Sequence, residues 1–389
     1  MMSMRKSEVK SNIIIVGDLF PTKQNLSYFI KGDVKSLFEE TIVKMFADAD
    51  FAICNMEGAL TDHRDRCMKT GPVKVAPTSA INAYIQLGVD CCMLANNHTT
   101  DGGHQGLLDM LHVINDSGMN YIGAGRCIDE IARSFVEEIG GMKIGFYNVS
   151  ETMYNRPTKM TAGVWLYDEY IVCRELEQLK KICDYLIVIY HGGIEKFHYP
   201  SPELRKRFHR MADNGADMIL AQHSHCIGCE EYYNGSYLLY GQGDFLLKNF
   251  APGFTDSGLI IELVIESKNV QINKYLVNSS ENMFVRYNVC QDLTELYQRS
   301  IKLADENYVY QQFQEFCDKE LGIYLTAFKS PARLRKKIGK WFPKIFEKWL
   351  LKYNERDIMF TLHTLRSEQN RETAIMGLEH LLKNKMCNK

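Results

Sequence analysis

Three runs in one stretch decide the fold: 184-DYLIVIYHGGIE-195, 215-GADMILAQHSHCIG-228 and 237-YLLYGQGDF-245. Leu186 to Tyr190 is apolar and uncharged, the pattern of a buried strand. His191 falls where that strand ends, and Gly192 and Gly193 let the backbone turn and a ligand approach closely. Leu204, Phe208 and Met211 then repeat at helical spacing, with Arg205, Lys206, Arg207 and Arg210 between them. A second apolar run, Met218 to Ala221, delivers His223 and His225. Two positions apart at a strand end, these imidazoles can share one cleft. The stretch therefore predicts an α/β unit whose strand ends gather metal ligands.

Earlier in the chain the same arrangement repeats. Asn12 to Val16 (NIIIV) reads as the first strand, with Asp18 just past its carboxyl end, where open α/β sheets collect ligands. Taken alone, Asp18 reads better as a turn aspartate. A helix is expected over Val34 to Ala47 and a strand over Ala49 to Cys54. Asn55 and Glu57 follow it and share a face; an amide oxygen beside a carboxylate suits a divalent ion, although loop residues bonded to backbone look the same. Val89 to Leu94 is a third strand, running into 95-ANNHTTDG-102. There Asn97 offers a neutral oxygen and His98 an imidazole. Thr100 or Asp101 is expected to cap the helix whose apolar face is Leu107, Leu108, Leu111 and Ile114.

Composition narrows the class without naming it. The chain has 389 residues, 46% hydrophobic and 24% charged, with a formal net charge of −2. That is an ordinary globular balance and gives no argument for nucleic acid as a partner. The opening MMSMRKSEVKSN has no apolar core of a secretory signal, and no run reaches the roughly 18 apolar residues of a membrane helix. Twelve cysteines are spread through strand-like segments. Without an export signal, reduced thiols and a cytoplasmic setting are expected.

The motifs GDLF, NMEGALTD, ANNHTTDGG, HGGIE, GADMILAQHSH and YGQGDF, in that order, resemble the CapA-type capsule synthesis family, whose core is similar to the calcineurin-like metallophosphoesterases. The resemblance covers about residues 12 to 265. It implies a four-layer α/β/β/α sandwich, with the metallophosphoesterase-like domain over 12–285 and a helical extension over 286–389. It further implies that Asp18, Asn55, Glu57, Asn97, His191, His223 and His225 surround one or two divalent ions, and that His98 protonates the leaving group. Mixed histidine, asparagine and carboxylate donors suit Mn, Fe or Zn better than Mg or Ca. The implied substrate is a phosphate ester, small or polymer-linked. The implied setting is capsule, polysaccharide or poly-γ-glutamate synthesis beside its biosynthetic enzymes; a non-catalytic assembly or polymer-binding factor is the other reading. Three positions depart from the superfamily pattern. Phe20 stands where a histidine is usual, Gln222 where the GHxH glycine falls, and Asp244 where the late motif has asparagine.

Other features carry less. Cys226 and Cys229 form a CxxC without a second spaced pair to complete a zinc site, so buried thiols are expected. His104 and His112 read as helix-surface residues. Residues 199–202 (YPSP) read as a rigid loop beside the metal. After Asp244, Gly258 to Ile265 and Val270 to Leu276 form a predicted hairpin. Helices are expected beyond residue 290, with Leu293, Leu296, Tyr297, Ile301 and Leu303 on one apolar side, and Leu362, Leu365, Ile375 and Leu378 packing the last. Residues 329–348 hold eight Lys or Arg against one Glu. That basic amphipathic segment fits either a helix docked on the core or a peripheral contact with an anionic membrane.

Overall fold

The computed structural model describes residues 10–63, 67, 69, 71–151, 157–247, 257–279, 284–288, 290–328 and 355–387. Its first strand, Ser11–Leu19, explains the unbroken NIIIV run. Side chains alternate along a strand. Ile13 and Ile15 enter one hydrophobic core and Ile14 and Val16 another, all fully buried. The strand therefore lies between two cores and needs apolar residues on both faces.

That strand sits inside an eight-stranded sheet ordered Val285–Tyr287, Asn269–Ser279, Ser257–Glu266, Ser11–Leu19, Phe51–Met56, Cys91–Met93 and Asn120–Ile122, with Asp244–Leu246 also paired to Ser11–Leu19. The pairings from Ser11–Leu19 through Phe51–Met56 and Cys91–Met93 to Asn120–Ile122 are parallel. Asp18, Asn55 and the 95–98 turn thus leave the sheet at one edge. A second, six-stranded sheet runs Glu230–Tyr233, Ser236–Leu239, Met218–Gln222, Tyr185–His191, Met142–Ser150 and Ser134–Ile139. Its Met142–Ser150, Tyr185–His191 and Met218–Gln222 strands are parallel, aligning Ser150, His191 and Gln222.

Ile13, Ile15, Ile53 and Met93 of the first sheet meet Ile144, Phe146, Ile187, Ile189 and Leu220 of the second in one core. The outer face of the first sheet buries Phe46, Tyr84, Leu107 and Ile114 from helices Glu40–Ala47, Ile81–Leu87 and Gly103–Asp116. Helices Glu169–Lys180 and Pro202–Asp213 cover the second, where Phe208 stacks on Tyr240 with ring centroids 5.0 Å apart. The result is the α/β/β/α layering that the motifs implied.

Local differences from expectation have identifiable causes. The helix expected over Val34 to Ala47 breaks into a 3₁₀ turn, Val34–Ser36, and a helix, Glu40–Ala47. Between them Leu37 O accepts from Val285 N and Glu39 N donates to Val285 O, so the backbone is spent on a strand-like bridge. The hairpin Ser134–Ile139 and Met142–Ser150 was not anticipated, although Gly140 and Gly141, both at positive φ, mark its turn. The later hairpin forms as expected, with Ser267 and Lys268 at φ 50° and 64° in the two-residue turn.

The chain divides into two compact units: the first takes nearly all of the residues up to Glu306, and the second takes Asn307 onward together with the short stretches 68–72 and 152–154. Helix Thr294–Leu303 belongs to the first, burying Leu296 and Leu303, while Tyr297 and Ile301 are exposed rather than on its packed side. In the second unit, helices Glu306–Phe328, Glu355–Arg366 and Glu368–Cys387 are described. Phe313, Cys317, Thr373 and Ala374 are buried there, and His380 Nδ1 lies 2.7 Å from Asp318 Oδ2. Leu362, Leu365, Ile375 and Leu378 face outward instead of packing this helix pair; Thr364, Ser367 and Asn370 are buried in their place. The basic segment 329–348 lies outside the described residues. Among the described residues, no helix is long and apolar enough to cross a membrane.

Candidate metal centre

Each candidate ligand is delivered by a strand end. At Gly17 the register of Ser11–Leu19 against Phe51–Met56 shifts, and Asp18 comes opposite Asn55. A Cβ at Gly17 would lie 2.5 Å from Gly243 O, so only glycine admits the turn that carries Asp244. Asp244 in turn pairs in register with Asp18. From the second sheet, His191 ends its strand, and His223 and His225 follow Gln222 in left-handed backbone at φ 95° and 52°. Such φ values are uncommon for residues with a Cβ and cluster at functional sites.

Among the described residues, three groups of candidate ligand atoms result, each lying within 4.8 Å: Glu57, His191 and His223; Asp18, His225 and Asp244; and the half-exposed Glu195 with His223 and His225. Glu57 Oε1 faces the imidazoles, 3.8 Å from His98 Nε2 and 4.0 Å from both His191 Nε2 and His225 Nε2. Asp18, Glu57, His191, His223, His225 and Asp244 are almost completely buried. Even so, Asp18 Oδ2, Glu57 Oε1 and Asp244 Oδ2 accept no hydrogen bond among the described residues. A buried carboxylate oxygen without a partner is costly.

The electrostatics agree. Burial, reinforced by Glu57 and Asp244, holds the Asp18 carboxyl well above the ordinary carboxylate range. Burial, then His223 and His225, pushes the His191 imidazole well below its usual value and keeps it neutral. Burial alone would also lower His225, but Asp244 and Glu57 outweigh it and raise it to about 10. Three carboxylates crowded into a dry cluster with a neutral imidazole form a donor set suited to a divalent cation.

The surrounding residues orient the ligands. Asn55 turns its amide nitrogen to Asp18 Oδ1 at 2.5 Å and His191 Nδ1 at 3.1 Å. Its oxygen accepts from Asn96 Nδ2 at 3.0 Å, so Asn55 links ligands to one another and its oxygen is already engaged. Asn97 Oδ1 lies 3.0 Å from His191 Nε2. His98 Nδ1 sits 2.7 Å from Asp101 Oδ2, leaving Nε2 toward the cluster. Asp101 therefore does not cap the following helix: Gly102 is its N-cap, without a side-chain bond, and the carboxylate is taken by His98 and by Lys74 N.

Gln222 neither faces a ligand nor crowds the turn; its Nε2 donates to Gln242 Oε1 at 2.9 Å, and Gln242 Nε2 reaches Ile15 O and Leu259 O, stitching the two sheets together. Phe20 is buried, and a Cβ at Gly58 would overlap its ring. His104 Nδ1 accepts from Ala162 N, and exposed His112 pairs with Asp116. Cys226 and Cys229 are buried, and burial pushes the Cys226 thiol up to about 12, matching inert thiols rather than zinc ligands. The segment 199–202 proves to be a helix start: Ser201 caps Pro202–Asp213 by accepting from Leu204 N.

Lys74 is the residue that sequence reasoning missed. Its Nζ lies 2.7 Å from Glu57 Oε2, with the side chain only 16% exposed. No periodicity marks it; it enters because the short strand Val75–Ala76 pairs with Ala59–Leu60 just beyond Glu57.

The structure is a two-sheet α/β/β/α sandwich carrying a buried carboxylate–imidazole cluster at its strand ends. The chain belongs to the bacterial capsule synthesis protein PGA_cap family, whose model matches residues 12–249. It is 32% identical over 173 residues to the PGA biosynthesis protein CapA of Bacillus subtilis (strain 168), covering 43% of this chain and 44% of that one. It is 25% identical over 194 residues to the capsule biosynthesis protein CapA of Bacillus anthracis, covering 48% and 46%. The chain thus spans about half the length of the curated relatives it matches. A novel phosphatase from Mycoplasma pneumoniae aligns over 74% of this chain and 99% of its own at 15% identity, with a TM-score of 0.44, too distant to argue from.

Proposed function

We propose that this chain is a metal-dependent hydrolase of phosphate esters, working in capsule, polysaccharide or poly-γ-glutamate production. The observation that carries the reading is the set of buried carboxylate oxygens that accept no hydrogen bond among the described residues, beside a cluster of imidazoles. Asp18, Glu57, His191, His223 and His225, with Asp244 and Asn97 beside them, would hold the metal. A divalent ion there supplies Lewis-acid polarisation of a phosphoryl oxygen and acidifies water. The protein's own part is positional. Asn55 fixes Asp18 and His191, the Gln222–Gln242 pair holds the two sheets in register, and burial keeps bulk water from the ligands.

His98 is the proton donor in this reading. Asp101 takes Nδ1–H, so Nε2, the atom facing the cluster, would carry the proton toward a departing alkoxide. A second reading, a non-catalytic factor that binds polymer through the same fold, is favoured by Phe20, which places hydrocarbon where a further donor is usual.

The test is elemental analysis of the purified protein beside hydrolysis of an aryl phosphate, comparing wild type with His191→Ala. Bound Mn, Fe or Zn and activity, both lost in the variant, support the enzyme. Bound metal with several phosphate esters left intact favours the polymer-binding factor. Wild type without metal overturns the metal centre.

A further inference from the structure

We propose that the centre takes one divalent ion rather than two, because the Lys74 ammonium already stands as the second cation of Glu57. The inference rests on the metal-centre reading above and concerns how that centre is filled.

A carboxylate can serve two cations by giving each an oxygen. Glu57 divides its oxygens in that way. Oε1 faces His98, His191 and His225, and accepts no hydrogen bond among the described residues. Oε2 is held by Lys74 Nζ at 2.7 Å. Glu57 itself is fully buried.

Lys74 is not a surface lysine that happens to reach inward. Its backbone N donates to Asp101 Oδ2 at 2.6 Å, and its O accepts from Ala59 N at 3.0 Å. Fixed at both backbone ends, with five-sixths of its side chain covered, the residue has little freedom to withdraw. Removing an ammonium from a buried pair leaves an uncompensated charge, which keeps such pairs together. Its positive charge also bears on both His191 and His225, whose Nε2 atoms each lie 4.0 Å from Glu57 Oε1. A second divalent ion would have to approach against that charge.

An independent feature points the same way. Two residues after Asp18 the chain presents Phe20, whose ring packs over Gly58, so this strand end contributes a single donor. The Asp18, His225 and Asp244 group is moreover partly closed on itself, with His225 Nδ1 2.7 Å from Asp244 Oδ1. Fewer donors and a resident cation both lower the capacity of the centre.

The experiment loads the intact chain with Mn(II), removes excess by dialysis, and reads stoichiometry by elemental analysis and nuclearity by electron paramagnetic resonance. Wild type and Lys74→Arg are expected to hold about one Mn per chain with a mononuclear spectrum, and Lys74→Met about two with an exchange-coupled one. Lys74→Gln serves if Lys74→Met does not fold. Two ions in wild type, or one in every neutral variant, overturns the role of Lys74 while leaving the metal centre standing. No Mn or Zn in any of the proteins overturns the metal centre itself, and the inference with it.

Discussion

The left-handed backbone at His223 makes a prediction whose sign runs against ordinary experience. His223 has φ 95°, whereas His191 ends a regular strand. Replacing either by Ala or by Gly deletes the same imidazole, so the Ala–Gly difference isolates the Cβ. In regular structure Gly is worse than Ala by about 0.5–1 kcal/mol, because the unfolded chain gains freedom. In left-handed backbone a Cβ costs roughly 1–2 kcal/mol, which outweighs that entropy. His223→Gly should therefore exceed His223→Ala in stability by about 0.5–1 kcal/mol, while His191→Gly falls below His191→Ala by about the same amount. The assay is urea unfolding of the four variants in excess chelator, compared at equal m-values so that midpoint shifts report stability. An Ala variant at position 223 equal to or more stable than its Gly counterpart refutes the claim that this ligand is held in strained backbone.

Two further outcomes follow from the site. Asp101→Asn should lower hydrolysis by roughly 10²–10⁴-fold, the usual worth of a positioned acid, while bound metal stays at its wild-type level; loss of metal in parallel would show that Asp101 only supports the fold. Gly58→Ala should destabilise by about 1–3 kcal/mol through overlap with the Phe20 ring, and adding Phe20→Leu should recover part of that loss. Additive losses in the double variant would place the ring elsewhere.

Much of the centre was legible in sequence because strands buried on both faces leave long apolar runs, and each run ends where chemistry begins. NIIIV, LIVIY and MILA each run out at candidate ligands: Asp18, His191, and His223 with His225. The residues that escaped were those set by pairing between distant segments. Lys74 depends on a two-residue strand beside Ala59–Leu60, too short for any periodicity. Asp101 looked like a helix cap because its spacing permits that role; only the fold shows His98 and Lys74 N taking the carboxylate instead. Asn55 illustrates a further blind spot. Sequence supplies an amide near Glu57, but which of its two polar atoms faces the cluster depends on Asn96, on another strand end. The outward-facing Leu362 and Ile375 show the converse error, apolar spacing taken as burial.

The scattering of ligands along the chain sets a timetable for the nascent protein. Asp18 is synthesised long before Asp244, so the cluster lacks its closing carboxylate until Asp244 has emerged and Asp244–Leu246 has paired with Ser11–Leu19. At roughly 5–20 residues per second, that interval is on the order of ten to fifty seconds. Throughout it the first strand waits with its edge unsatisfied, and no partial chain holds the complete ligand set. In the metal-centre reading proposed above, metal acquisition would therefore be a late, essentially post-translational event, coupled to the closing of the two sheets and open to whatever ion the compartment offers at that moment.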